Sequence, residues 1–385
     1  MVDSSAPPRA APPQAHQGGD GGLAPAPSPP PEHAAAPPPS GLATQLTAIL
    51  TTSPSPVMPS TELILAVLRS FAAHAPELCA CRLLIVCDGI KPSPKTHFRA
   101  GRVDAHASAA YEEYKRRLAR LAADAACCCF PRAELLELHE HHGFGFAVLQ
   151  ALRRVSTPLV CVIQHDRVLL RSVELGKVCH HLLHQEGGSV GYVLLPIRAT
   201  ADYPMRMRAK LGERGIRPPA SDIQPHAIAL CPRVRLLPCL AWYDSTHICL
   251  THYYINFIFG GCLDRTAAFR SPTRIVTKGA FLEAELAPQQ MQDVQTMGLP
   301  AYIRRWQTFL YDDGDAQPAV GHLNGAQTLS WHSLQQRFGD RADVGQRWQR
   351  SCTAEGTRPR DLSGAWQALV TSTSNFAFPR ALATK

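Results

Sequence analysis

Apolar and polar positions alternate in blocks over the first 200 residues. Residues 46–50 form an apolar run that stops at Thr51-Thr52-Ser53-Pro54. Leu63, Val67, Leu68 and Phe71 then recur at the three-and-four spacing of a helix, opened by Pro59-Ser60-Thr61-Glu62 with Ser60 as candidate cap. Residues 82–87 are a second buried run, closed by Asp88-Gly89. Residues 108–125 predict a helix with Tyr111, Tyr114, Leu118 and Leu121 on one side. Residues 126–130 predict a short third strand, and 135–154 a helix broken near His142-Gly143. Residues 159–163 are unbroken apolar, the pattern of a strand covered on both faces, and end abruptly at Gln164-His165-Asp166. A helix over 172–185 and a fifth strand over 190–197 complete the block.

This β-α-β-α-β-α-β-α-β order predicts an α/β fold with a mostly parallel, doubly wound sheet and right-handed crossovers. Beyond residue 200 the pattern loosens. Strands are expected at 227–230 and 236–240, an apolar aromatic run covers 248–259, and a helix is expected over 281–298. Residues 1–42 are rich in Pro, Ala and Gly and too poor in large apolar side chains to offset ordering entropy, so a disordered tail is expected there. The ordered chain divides into 43–200 and 201–330, and 331–385 form a polar extension without assignable elements.

Composition narrows the partners. Of 385 residues 45% are hydrophobic, as in a globular protein, and the formal net charge of +8 suits an anionic small molecule. No basic stripe interleaved with aromatics points to nucleic acid. Among 13 cysteines, Cys87, Cys161, Cys231, Cys239 and Cys249 sit in apolar runs as small hydrophobes. Cys79-Ala80-Cys81 and Cys127-Cys128-Cys129 lack zinc-site spacing. No apolar run is long enough for a membrane span. A cytoplasmic location is the default expectation, with the Golgi or another compartment left open.

Candidate chemistry lies at the strand ends. In a parallel sheet these meet at the carboxyl edge, where ligands of open α/β sheets bind. Thr52 and Ser53, Asp88, and Gln164-His165-Asp166 are therefore expected to converge. Asp166 and His165 are donor types suited to a divalent metal. Of two later histidines, His247 and His322, His322 is the better placed by chain order. Simpler roles stand beside these: a helix cap for Asp166, an ordinary turn for Asp88-Gly89, a structural place for His165, a solvated helix position for Glu283. His139-Glu140-His141-His142 lacks zincin spacing and reads as a polar helix end. No Gly-x-Ser-x-Gly elbow supports serine catalysis. Gly143 and Gly145 suit a close turn or close helix packing.

The sequence of strand, Thr-Ser-Pro, helix, strand, Asp-Gly, helix, strand, Gly-containing helix, Thr157-Pro158 strand and Gln164-His165-Asp166 resembles the nucleotide-diphospho-sugar transferases, the GT-A glycosyltransferases. The resemblance implies a nucleotide-sugar-binding half over 43–200 and an acceptor half over 201–330. It implies a nucleotide-sugar donor, a hydroxyl-bearing acceptor and a divalent metal, Mn2+ or Mg2+. By it Asp166 takes the place of the last metal-binding Asp of an Asp-x-Asp motif, and Asp88 that of the acid contacting the nucleoside. Lys278-Gly279-Ala280-Phe281-Leu282-Glu283 resembles the acceptor-side segment, with Glu283 as catalytic base. Gln164 departs from the motif, whose first position is Asp. A nucleotidyltransferase is the alternative enzyme, although Thr51-Thr52-Ser53-Pro54-Ser55-Pro56 is not its Gly-rich phosphate loop. A non-catalytic nucleotide- or sugar-binding relative is the alternative from another class.

Overall fold

The computed structural model describes residues 41–124, 129–218, 220–260, 269–270, 275–315 and 317–323. Most of the tail expected over 1–42 and all of 331–385 lie outside the described residues.

Nine strands form the central sheet: β1 Leu46–Thr52, β2 Arg82–Cys87, β3 Ala133–Glu137, β4 Leu159–Gln164, β5 Tyr192–Leu194, β6 Ile228–Cys231, β7 Val234–Pro238, β8 His247–Leu250 and β9 Thr308–Asp312. Their order is β3-β2-β1-β4-β8-β5-β9-β7-β6. β3, β2, β1 and β4 are mutually parallel, as are β5 and β9. β8 runs antiparallel between β4 and β5, and β7 runs antiparallel between β9 and β6. The fold is α/β with a mostly parallel sheet, as the alternating pattern predicts. The chain's later strands share this sheet, since β8 is inserted between two strands of the first 200 residues.

Both faces of the parallel half are covered. α1 (Glu62–His74) buries Leu63, Ile64, Val67, Leu68 and Phe71, and Glu62 N donates to Ser60 Oγ at 3.3 Å. α2 (Ala105–Ala123) buries Tyr111, Tyr114 and Leu118, and begins at Asp104, whose Oδ1 accepts from Ala107 N at 2.9 Å. α3 (Gly143–Leu152) is buried along nearly its whole length. It is followed by α4 (Leu175–His184) and α5 (Tyr203–Gly212), and later by α6 (Leu282–Met297) and α7 (Leu299–Trp306).

The third strand differs from expectation. It lies at Ala133–Glu137, where the pattern predicts helix, and the helix begins only at Gly143. The reason is its edge position. With one neighbour, its Glu134 and Glu137 stand in solvent, and their spacing with Glu140 imitates a helical face. Glu134 is held by Arg82 Nε and Nη2 at 2.8 and 2.7 Å, and Glu137 by Lys115 at 2.9 Å. The run 248–259 also divides. β8 ends at Leu250, where Thr251 N donates to Pro158 O at 2.8 Å and Thr251 Oγ1 to Thr157 O at 2.8 Å, and helical turns follow. Cys87, Cys161, Cys239 and Cys249 are buried as expected, whereas Cys231 is only half-buried. No helix among the described residues is long and apolar enough to cross a membrane.

Gly143 opens α3 at φ +72°, and a Cβ there would lie 2.6 Å from Gly279 Cα. Gly279 N also donates to His142 O at 2.7 Å, so the later segment is pinned to the start of α3. Gly143→Ala is expected to lower stability by about 1–3 kcal/mol through left-handed strain and loss of this approach. Urea unfolding checks it: the midpoint should fall at unchanged m.

Candidate active site

β2, β1 and β4 end level, with Thr52 opposite Cys87 and Thr51 opposite Gln164. Backbone bonds extend the alignment one residue further, from Asp88 N to Thr52 O at 2.9 Å and from His165 N to Thr51 O at 3.0 Å. Asp88 and Asp166 therefore lie on one edge, two strand positions apart, or about 10 Å of sheet.

Their environments differ. Asp88 is buried, and its carboxylate is filled from within. Oδ1 accepts from Gly89 N at 2.9 Å and His142 N at 2.7 Å, and Oδ2 accepts from Gly143 N at 2.9 Å and lies 3.0 Å from His141 Nδ1. The last amides are at the start of α3, where a carboxylate meets unpaired N–H groups and the positive helix end. Asp88 thus joins β2 to α3 and has little capacity left for a nucleoside. His139 to His142 form a loop, not the expected helix end, because Asp88 binds its backbone and Lys278 pairs with Glu140 at 2.7 Å. Thr52 differs from expectation too. Its hydroxyl is buried against Tyr114 OH at 3.0 Å. Ser53 is half-buried.

Asp166 keeps free capacity. Its Oδ2 lies 3.0 Å from His322 Nε2, and its Oδ1 is buried without a hydrogen-bond partner. The short strand Val320–His322 pairs antiparallel with Arg167–Leu169, setting His322 opposite Arg167, and Leu323 N donates to Asp166 O at 2.8 Å. Burial pushes the Asp166 carboxyl up, but the His322 bond and the charges of His165, His322 and Arg167 outweigh it, holding the group down at about 2. Burial lowers His165 below the ordinary imidazole range, against the opposing pull of Asp166. Gln164 Oε1 accepts from Arg167 Nε at 3.2 Å.

With His322 Nε2 deprotonated, the pair offers a divalent cation one carboxylate and one imidazole donor. Two donors at right angles around an ion, each about 2.1 Å away, are about 3.0 Å apart. Asp166 Oδ1 accepts no hydrogen bond, and Arg167 Nε is 3.8 Å from it. Among the described residues no group of three His, Cys, Asp or Glu surrounds a common point, so the remaining positions would fall to substrate oxygens and water, a usual habit of Mg2+.

Glu283 stands in the first turn of α6. Its N donates to Asp244 Oδ2 at 3.1 Å, and Asp244 N donates to Glu283 Oε2 at 3.3 Å, a reciprocal clasp. Asp244 is buried and also accepts from Trp242 Nε1 at 3.0 Å. Burial, together with the nearby Glu283 charge, pushes the Asp244 carboxyl up to about 7 despite its N–H donors. Burial raises Glu283 as well, while Asp244 N–H and the Arg167 charge pull it down. Arg167 therefore acts on both Asp166 and Glu283. Neither Arg167 nor Asp244 is among the expected site residues. Asp244 had a signal, the polar stop Asp244-Ser245-Thr246 after an apolar run. His247 does not join the site, being wholly buried with Nδ1 2.6 Å from Ser245 O.

No family model matches the chain, and no curated protein matches it. The solved structures that resemble it include nucleotide-sugar glycosyltransferases. A mannosyltransferase from Pyrobaculum calidifontis, in complex with GDP-Man and Mn2+, is 12% identical over 57% of this chain and 48% of its own, with a TM-score of 0.32. Glucosyl-3-phosphoglycerate synthase from Mycobacterium tuberculosis, in complex with Mn2+, UDP-glucose and phosphoglyceric acid, is 10% identical over 82% of each chain, at 0.35. TarS of S. aureus is 14% identical over 40% of this chain and 22% of its own, at 0.24. The chain thus spans under half the length of the first and under a quarter of TarS. At these TM-scores the likenesses are loose.

Because Asp166 has a depressed pKa when folded, its ionised form contributes stability above the ordinary carboxylate range, and this is lost as pH falls from about 4 through 2. The stability difference between the wild type and Asp166→Asn should therefore shrink by about 2 kcal/mol between pH 5 and pH 2. Chemical denaturation across that range measures it; a constant difference would mean that Asp166 is not held as a carboxylate by its neighbours.

Proposed function

We propose that the protein transfers a sugar from a nucleotide-diphosphate donor to a hydroxyl-bearing acceptor with the help of a divalent metal. The observation that carries this reading is the Asp166–His322 pair, a carboxylate and an imidazole 3.0 Å apart at the carboxyl edge of a mostly parallel sheet. Asp166 and His322 would hold Mn2+ or Mg2+, which neutralises charge on the departing diphosphate when bound. Arg167, half-buried beside Asp166, adds a positive charge at the same place. The acceptor oxygen attacks the anomeric carbon, the carbon–oxygen bond to the diphosphate breaks, and the acceptor proton passes to Glu283. A carboxylate raised by burial and clasped by Asp244 is suited to that task. A single base on the acceptor side implies inversion at the anomeric carbon.

A second reading has its own observation. Gln164 stands where a second carboxylate is expected, and its amide is engaged by Arg167. Fewer negative charges weaken metal binding, which suits a nucleotide- or sugar-binding protein without turnover.

Calorimetry with nucleoside diphosphates, with and without Mn2+, separates the two. The transferase reading expects Mn2+-dependent binding that falls at least about 10-fold in Asp166→Ala. Binding indifferent to Mn2+ favours the second reading. Once a donor is found, Glu283→Gln should lower kcat about 100- to 10,000-fold with little change in donor KM. A product of retained configuration would remove Glu283 from the role of base.

A further inference from the structure

The strand that delivers His322 has an anchor of its own. Between β9 and Val320–His322 the chain turns through Asp312-Asp313-Gly314-Asp315, three carboxylates in four residues. Asp312 is held by Arg235 at 2.7 Å. The other two face Arg171, which reaches in from the segment that follows Arg167–Leu169. Arg171 Nη1 and Nη2 bind the two oxygens of Asp313, the second at 3.0 Å, and Nε lies 3.6 Å from Asp315 Oδ2. Nε and Nη2 also donate to Gln317 O at 3.3 and 3.2 Å. The Arg171 side chain is 11% exposed and that of Asp313 16% exposed, so the pair is poorly screened by solvent. A forked guanidinium is what this arrangement of a carboxylate and a carbonyl requires.

We propose that Arg171 is a positioning residue for the metal site, clamping Asp313, Asp315 and Gln317 so that the following strand holds His322 against Asp166. The inference rests on the reading of Asp166 and His322 as metal ligands. The two anchors sit at opposite ends of one short ladder. At the clamp end, Leu170 N donates to Ala319 O at 2.8 Å; at the ligand end, Leu323 N donates to Asp166 O at 2.8 Å. Between them Val320, Gly321 and His322 pair with Leu169, Val168 and Arg167. Gly321 keeps the ladder close to Leu170, since a Cβ there would lie 3.0 Å from that side chain. With the clamp removed, Asp313 and Asp315 repel one another beside Asp312, and the turn loses its crosslink to the 167–173 segment. The strand carrying His322 is then held by its backbone bonds without the clamp, and the imidazole drifts from the spacing a metal needs.

The test uses the full chain and two readouts. Mn2+ uptake is followed by the electron paramagnetic resonance of free Mn2+, and backbone exchange by hydrogen–deuterium exchange at Leu170 and Leu323. Arg171→Ala and Asp313→Asn should each weaken Mn2+ binding about 10-fold and speed exchange at both amides, with Arg171→Lys intermediate because it keeps charge without the fork. Faster exchange with unchanged Mn2+ affinity would overturn the proposal, leaving Arg171 as a fold contact. Unchanged exchange would overturn it as well. A wild-type protein that takes up no Mn2+ would overturn the metal reading itself, and the exchange rates would then decide the clamp separately.

Discussion

Three adjacent parallel strands that end at one level set the geometry of this protein. β2, β1 and β4 are buried along nearly their whole length, and most of their side chains are apolar. Polar groups then emerge together: Asp88 after β2, Thr51 and Thr52 at the end of β1, Gln164 to Asp166 after β4. A one-residue slip of either pairing would turn alternate side chains to the other face and separate the two acids. Continuous burial along β1, β2 and β4 makes such a slip costly, and the edge inherits its precision from that core.

The two aspartates show how burial and donors divide labour along such an edge. Asp88 meets amides at the start of α3 and is consumed in joining that helix to the sheet. Asp166 meets an imidazole and leaves one oxygen without a hydrogen bond, 3.8 Å from Arg167 Nε. Similar residues at similar strand ends thus become a structural joint and a candidate ligand. The difference comes from what the rest of the chain brings to each: the 139–143 loop to one, the strand Val320–His322 to the other.

The antiparallel strand β8 explains how the second half contributes. Because it runs against β4 and β5, its amino-terminal approach lies at the carboxyl edge of its neighbours. Asp244, which precedes β8, is thereby delivered beside the ends of strands running the other way. It clasps Glu283 at the head of α6 and places that carboxylate within electrostatic reach of Arg167. Asp166 follows its strand and Asp244 precedes its own, and they meet at one edge because the two strands run in opposite directions.

Apolar periodicity by itself was enough for the α/β class, for β1, β2 and β4, and for the buried faces of α1 and α2, because burial on a sheet or helix face imposes its repeat on the sequence. It was also enough to put Asp88 and Asp166 on one edge once those strands are parallel. It misplaced β3, since an edge strand with one neighbour keeps polar residues and loses the signal. Only the tertiary structure decided which polar groups meet. Asp166 and His322 are 156 residues apart, and Asp244 and Glu283 are 39 apart. Those pairings depend on strand direction and on the return of a distant segment, and neither leaves a local period in the chain.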